Sequence, residues 1–175
     1  MQKYSLQARI LHWLMAFIIL SALFLGFYIE YILDKSTSEN VINLYNLHKS
    51  FGILALIFIF IRILNRIFNK PPAISNKFNK TEVIMMDLGH KLLYIMMLIV
   101  PISGFFMSIF SGYGINFFGI EISSFYQNYE YAKFFSKIHK ISATTIAIAI
   151  LGHIFFVIKH ILSRDPEKNV IKRII

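Results

Sequence analysis

The stretch FFSKIHKISATTIAIAILGHIFFVIKHI, residues 134–161, carries two histidines, His139 and His153, inside one run apolar and long enough to cross a bilayer. They stand fourteen positions apart. At roughly 100° per residue the second imidazole returns to within about 40° of the first, about 21 Å further along the axis. A single helix thus presents an imidazole near each face of a membrane. What stands opposite those two positions is the question the rest of the chain answers.

The composition agrees with a membrane setting, since 57% of the 175 residues are hydrophobic and 15% are charged, with a mean hydropathy of +0.62. Three more spans can be drawn, at about 10–30, 48–68 and 90–111. The first is too long for a secretory signal core and has no small-x-small cleavage site after it, so it is read as a helix. The expected fold is all-α, an integral membrane four-helix bundle forming a single domain over residues 1–175.

The chain contains no cysteine, which excludes disulfides, iron–sulfur clusters, thiolate zinc sites and covalent c-type haem. Its net charge of +9 does not indicate nucleic acid, because the cations flank apolar runs rather than forming a stripe of their own. They read as topology signals. The first connection carries Glu30, Asp34, Lys35 and Glu39, whereas the second carries Arg62, Arg66, Lys70, Lys77, Lys80 and Lys91 against Glu82 and Asp87. The tail adds Arg164, Lys168, Lys172 and Arg173, and the third connection, with Glu121, Glu130, Lys133 and Lys137, is close to neutral. The positive-inside rule places both termini and the second loop in the cytoplasm. Pro71-Pro72 makes that second loop a genuine break. The third loop gathers Tyr113, Phe117, Phe118, Phe125, Tyr126, Tyr129 and Tyr131 near three glycines, a pattern that suits an interfacial belt or a lid over an outer site.

With this topology His12 lies near the inner face, His48 at the outer face, His139 outer and His153 inner. Depth pairs His48 with His139 and His12 with His153. A lone histidine on an apolar face is ordinarily a hydrogen-bonded core residue, but four that resolve into two depth-matched pairs point to function. Zinc or copper calls for more ligands at one level. Two imidazoles per level suit the two axial positions of a porphyrin iron, so His12, His48, His139 and His153 are the expected iron ligands of two non-covalent haems b. Such iron has no open position, which favours electron transfer over oxygen binding.

Arg62 follows His48 by fourteen residues, on the same helix face and at the inner depth. It is placed either to meet a haem propionate or to snorkel to the headgroups. Arg9, one turn before His12, and Lys49 and Lys140, directly after the outer ligands, have the same two uses. Gly52 and Gly152 offer room for a flat macrocycle or ordinary close helix packing. His90 opens the third span and His160 lies two turns beyond His153. Either suits a quinone carbonyl, which accepts a hydrogen bond and, once reduced, a proton; otherwise they are interfacial residues.

The segments Ile10-Leu11-His12-Trp13-Leu14, Asn46-Leu47-His48-Lys49-Ser50-Phe51-Gly52-Ile53, Leu88-Gly89-His90-Lys91-Leu92-Leu93-Tyr94, Ile138-His139-Lys140 and Leu151-Gly152-His153 together resemble the bacterial di-haem cytochrome b561 family, in the family's order and over nearly the whole chain. The resemblance implies a multi-pass protein of the bacterial inner (plasma) membrane with two haems b on the four histidines already paired. It implies an oxidoreductase-like role in electron transport, from a small periplasmic donor such as superoxide to ubiquinone. Related cytochrome b subunits imply an alternative, a haem-bearing anchor for a dehydrogenase or hydrogenase as redox partner protein; short loops argue mildly against it. A haem-free membrane binding protein is the third reading, and an optical difference spectrum separates it from the other two.

Overall fold

The computed structural model describes residues 2–31, 39–163 and 165–175. Asp34, Lys35 and Arg164, used above for orientation, lie outside the described residues, as does the side chain of Glu39. Four long helices dominate: α1 Leu6–Tyr31, α2 Glu39–Phe68, α3 Lys80–Phe110 and α4 Tyr129–Ile161. Each contains a window of mean hydropathy between 2.1 and 2.3 and is long enough to cross a membrane. Large apolar side chains such as Phe17, Phe24, Phe60, Leu151 and Phe155 point outward, as suits a bundle whose solvent is lipid.

The helices begin earlier than hydropathy alone places them. At α3 the reason is a capping box: the Asn79 side chain accepts from the Glu82 amide at 2.8 Å, and the Glu82 carboxylate accepts from the Asn79 amide at 3.0 Å. Asn128 caps α4 by accepting from the Tyr131 amide at 3.1 Å. These polar first turns need no hydrocarbon around them. With α2 starting at Glu39 and α3 at Lys80, His48 and His90 lie well inside their helices rather than at helix starts.

Packing is closest between α3 and α4, between α1 and α2, and between α2 and α3, whereas α1 and α2 make little backbone contact with α4. The separation between those faces is bridged by side chains, the paired histidines among them. The third loop forms a small hairpin, β1 Ile115–Phe117 with β2 Ile120–Ile122, closed by Phe118 and Gly119 at positive φ. Ser50 on α2, 2% exposed, anchors it: its hydroxyl donates to the Asn46 and Asn116 carbonyls at 2.8 and 3.1 Å and accepts from the Phe118 amide at 3.1 Å. At the opposite end two 3-10 turns, Pro166–Lys168 and Val170–Arg173, fold back under the bundle. Arg173 is buried there, donating to the Pro72 carbonyl and to the Ala73 carbonyl at 3.1 Å, with its cation over the Tyr4 ring. The Trp13 indole N–H donates to the Ile174 carbonyl at 3.2 Å and the Tyr4 main-chain amide to the Arg173 carbonyl at 3.0 Å. Both terminal segments and the second loop therefore share one end of the bundle, as an even number of spans requires.

Candidate functional site

The four paired histidines meet as their depths predicted. The His48 and His139 ring centroids are 6.1 Å apart; those of His12 and His153 are 6.4 Å apart. His48 donates through Nδ1 to the Ala22 carbonyl on α1 at 3.0 Å, and His139 through Nδ1 to the Val100 carbonyl on α3 at 2.9 Å. A proton fixed on Nδ1 leaves the Nε2 lone pair bare, the tautomer a metal ligand needs. In each case a glycine one turn beyond the accepting carbonyl makes room for the ring. A Cβ on Gly26 would lie 2.9 Å from His48 Cε1, and one on Gly104 would lie 2.9 Å from His139 Cε1. Pro101 removes one N–H from the α3 ladder beside Val100, and Ser103 Oγ stands 3.4 Å from His139 Nδ1.

Sequence reasoning missed these supports. It singled out Gly52 and Gly152 as room for a flat macrocycle or for close helix packing; a Cβ on either would meet nothing within 4 Å, so neither is a close helix contact. Gly26 and Gly104 are identified only by knowing which helices face each other.

At the inner level Arg62 stands where its spacing placed it. Its Nη2 lies 3.2 Å from His12 Nδ1 and its Nε donates to the Tyr94 hydroxyl at 3.1 Å, with Arg66 stacked over the Tyr94 ring at 5.4 Å. Arg9 donates to the Ile175 carbonyl at 2.6 Å and so also holds the tail. The outer lysines are both engaged. Lys49 Nζ donates to the Gly114 carbonyl at 2.9 Å, holding the hairpin, and Lys140 pairs with Glu30 at 2.6 Å.

His160 is 2% exposed, packed between Phe78 and Phe156 at centroid distances of 5.1 and 4.3 Å, with its Nε2 buried and unpartnered. It is closed off from any bulky ligand. His90, expected to open its span at the membrane surface, instead stands beside His153 at 5.7 Å.

The separations test whether haem iron fits. With about 2 Å per metal–imidazole bond and about 1 Å from ring nitrogen to ring centre, two imidazoles opposed across one ion have centroids about 6 Å apart. Both pairs match this. Among the described residues no group of three or more His, Asp or Glu side chains forms a metal-binding cluster.

The comparisons with known proteins agree with this geometry. A family model described as Prokaryotic cytochrome b561 matches residues 3–175. The chain is also 26% identical over 165 residues, covering 91% of itself and 85% of the relative, to "Cytochrome b561 homolog 2" of Escherichia coli (strain K12). Four membrane-spanning helices facing one another through paired imidazoles, and a family match over almost the full length, lead to one conclusion: the chain belongs to the prokaryotic cytochrome b561 family of membrane electron-transfer haem proteins.

Proposed function

We propose that this protein is an inner-membrane electron carrier with two haems b, one held by His48 and His139 on the periplasmic side and one by His12 and His153 on the cytoplasmic side, moving electrons from a periplasmic donor to ubiquinone. The observation that carries it is the pair of imidazole separations, 6.1 and 6.4 Å, on helices that otherwise stand apart. When bound, the haems supply one-electron couples with no free iron position. The chain's task is to hold and orient them and to set the field around them.

His48 and His139 do this at the outer level through rings fixed by main-chain carbonyls. Arg62 supplies positive charge beside His12 at the inner level, and Arg9 lies one helical turn away. Both are suited to carboxylate groups, which guanidinium forks bind well. Spacing on α4 sets the two levels about 21 Å apart, and the cation distribution orients the inner one toward the cytoplasm.

Superoxide is the small donor this reading favours. It gives up one electron and leaves as dioxygen, so two of them with two protons reduce ubiquinone to ubiquinol. Lys140 is offset by Glu30 and Lys49 is turned to Gly114, so attraction of an anion rests on the field of the outer face rather than on free ammonium groups.

The deciding experiment is the haem content and reduced-minus-oxidised spectrum of the purified protein, followed by stopped-flow mixing. Two low-spin b haems, reduced by superoxide and reoxidised by ubiquinone, are expected. His139→Ala and His153→Ala should each remove one. Reduction by a co-purifying dehydrogenase or hydrogenase but not by superoxide would make the chain an anchor subunit instead.

A further inference from the structure

His153 faces two imidazoles. His12 on α1 stands at a centroid distance of 6.4 Å and His90 on α3 at 5.7 Å, both near the about 6 Å that one shared iron requires. Their readiness to ligate differs. His90 donates through Nδ1 to the Met86 carbonyl one turn earlier on its own helix, at 2.6 Å, leaving Nε2 bare. His48 and His139 are held in the same way. His12 is held in the opposite sense, because its Nδ1 lies 3.2 Å from Arg62 Nη2 and a guanidinium only donates. With Nδ1 accepting, the neutral His12 ring carries its proton on Nε2, the nitrogen that must be bare to bind iron. His12 becomes a ligand when Arg62 releases it. His90 needs no such release.

Resting on the two-haem proposal, we propose that His90 is a second axial ligand position opposite His153. The inner centre is then a site with one fixed imidazole and two exchangeable ones: His12, controlled by Arg62, and His90, engaged when Arg62 holds His12 or when His12 is absent. This separates the inner centre from the outer one, whose two rings are each held in a single ligating orientation.

The test uses the full chain in detergent, with haem per protein measured by the pyridine haemochrome assay and the iron spin state by electron paramagnetic resonance. The variants are His12→Ala, the milder His12→Gln, His90→Ala, the double His12→Ala/His90→Ala, and His153→Ala. The low-spin signal of the outer haem, on His48 and His139, reports in every variant that the bundle has folded. Expected are two low-spin haems in the His12 single variants and in His90→Ala, and loss of the inner haem or its conversion to high spin in the double variant. The proposal is overturned if His12→Ala and His12→Gln already behave like the double variant, which would leave His90 as a quinone contact or interfacial residue. It is also overturned if His90→Ala alone loses a haem. One haem in the unaltered protein, or two in His153→Ala, would instead refute the two-haem reading and the spare ligand with it.

Discussion

Adding one methyl group at Gly26 tests how the outer histidines are held. The new Cβ would lie 2.9 Å from His48 Cε1, while carbon atoms rest at about 3.5–4.0 Å. The ring must therefore retreat by about 0.6 Å or more. A shift of that size disturbs the 3.0 Å hydrogen bond from Nδ1 to the Ala22 carbonyl, a loss of up to about 1 kcal/mol. Overpacking adds about 1 kcal/mol or more. A total of about 2 kcal/mol corresponds to roughly 30-fold weaker haem retention at the outer level. Gly104→Ala should act alike from α3, where the Cβ would also stand 2.9 Å from its histidine. Alanine is the better helix former by about 1 kcal/mol, which offsets about half of that cost in the haem-free chain, so its thermal stability should fall only slightly while haem is lost. Haem per protein, outer-haem potential and spin state in Gly26→Ala, Gly104→Ala and the control Gly89→Ala, whose Cβ meets nothing within 4 Å, decide the matter. Behaviour of Gly26→Ala identical to that of Gly89→Ala in all three would refute the steric seat.

Arg62→Gln removes a cation 3.2 Å from His12 and should lower the inner haem potential by about 1–3 kcal/mol equivalent, on the order of 40–130 mV for one electron; a potentiometric titration with both haems unmoved would leave Arg62 as a helix-end anchor. Ser50→Ala withdraws the hydroxyl that the Phe118 amide donates to, leaving buried polar groups unpaired at about 1–3 kcal/mol, and hydrogen exchange of the hairpin amides should accelerate by roughly 10-fold or more. Lys168→Met and Lys140→Met should differ in thermal melts. The Lys168–Glu82 side chains are 22% and 14% exposed, against 61% and 42% for Lys140–Glu30, so the first substitution takes the cation from a largely enclosed carboxylate that keeps its bond from the Asn79 amide, and the second stays within about 1 kcal/mol of the parent.

Four apolar runs and four histidines at two depths were legible in the chain because both follow from fixed periods, 1.5 Å and about 100° per residue. Arg62 was placed for the same reason, through its fourteen-residue spacing from His48. The depth of His90 was not legible. Lys80, Thr81, Glu82 and Asp87 make the first turns of α3 look like loop to any hydropathy count, whereas the Asn79–Glu82 capping box starts a helix there. His90 thereby moves about ten residues inward and comes beside His153. Gly26, Gly104, Ala22 and Val100 were missed because their role depends on which helix faces which, and no local pattern encodes that. The engagement of Lys49 and Lys140 was hidden likewise, since Gly114 and Glu30 are distant in sequence.

The two levels are built on different physical terms, and the difference follows the direction of transfer proposed for them. At the outer level every element fixes position: two main-chain carbonyls orient two rings, two glycines admit them, and Ser50 with Lys49 ties the hairpin to the helix that carries His48. Main-chain carbonyls have no rotamers, so this seat loses little entropy on ligation and changes little with redox state. At the inner level the partners are long or exposed side chains, Arg62, Tyr94 and His90, and the tail is pinned nearby through Trp13 and Arg9. Side chains can exchange partners when charge changes. A centre that meets a quinone and its protons gains from that freedom, while one that only accepts an electron is best left rigid. If that asymmetry is functional, replacing the Arg62 guanidinium should broaden or split the inner-haem resonance and leave the outer one sharp. Equal broadening of both would mean that the levels share one mobile bundle and that the contrast in their seats carries no consequence.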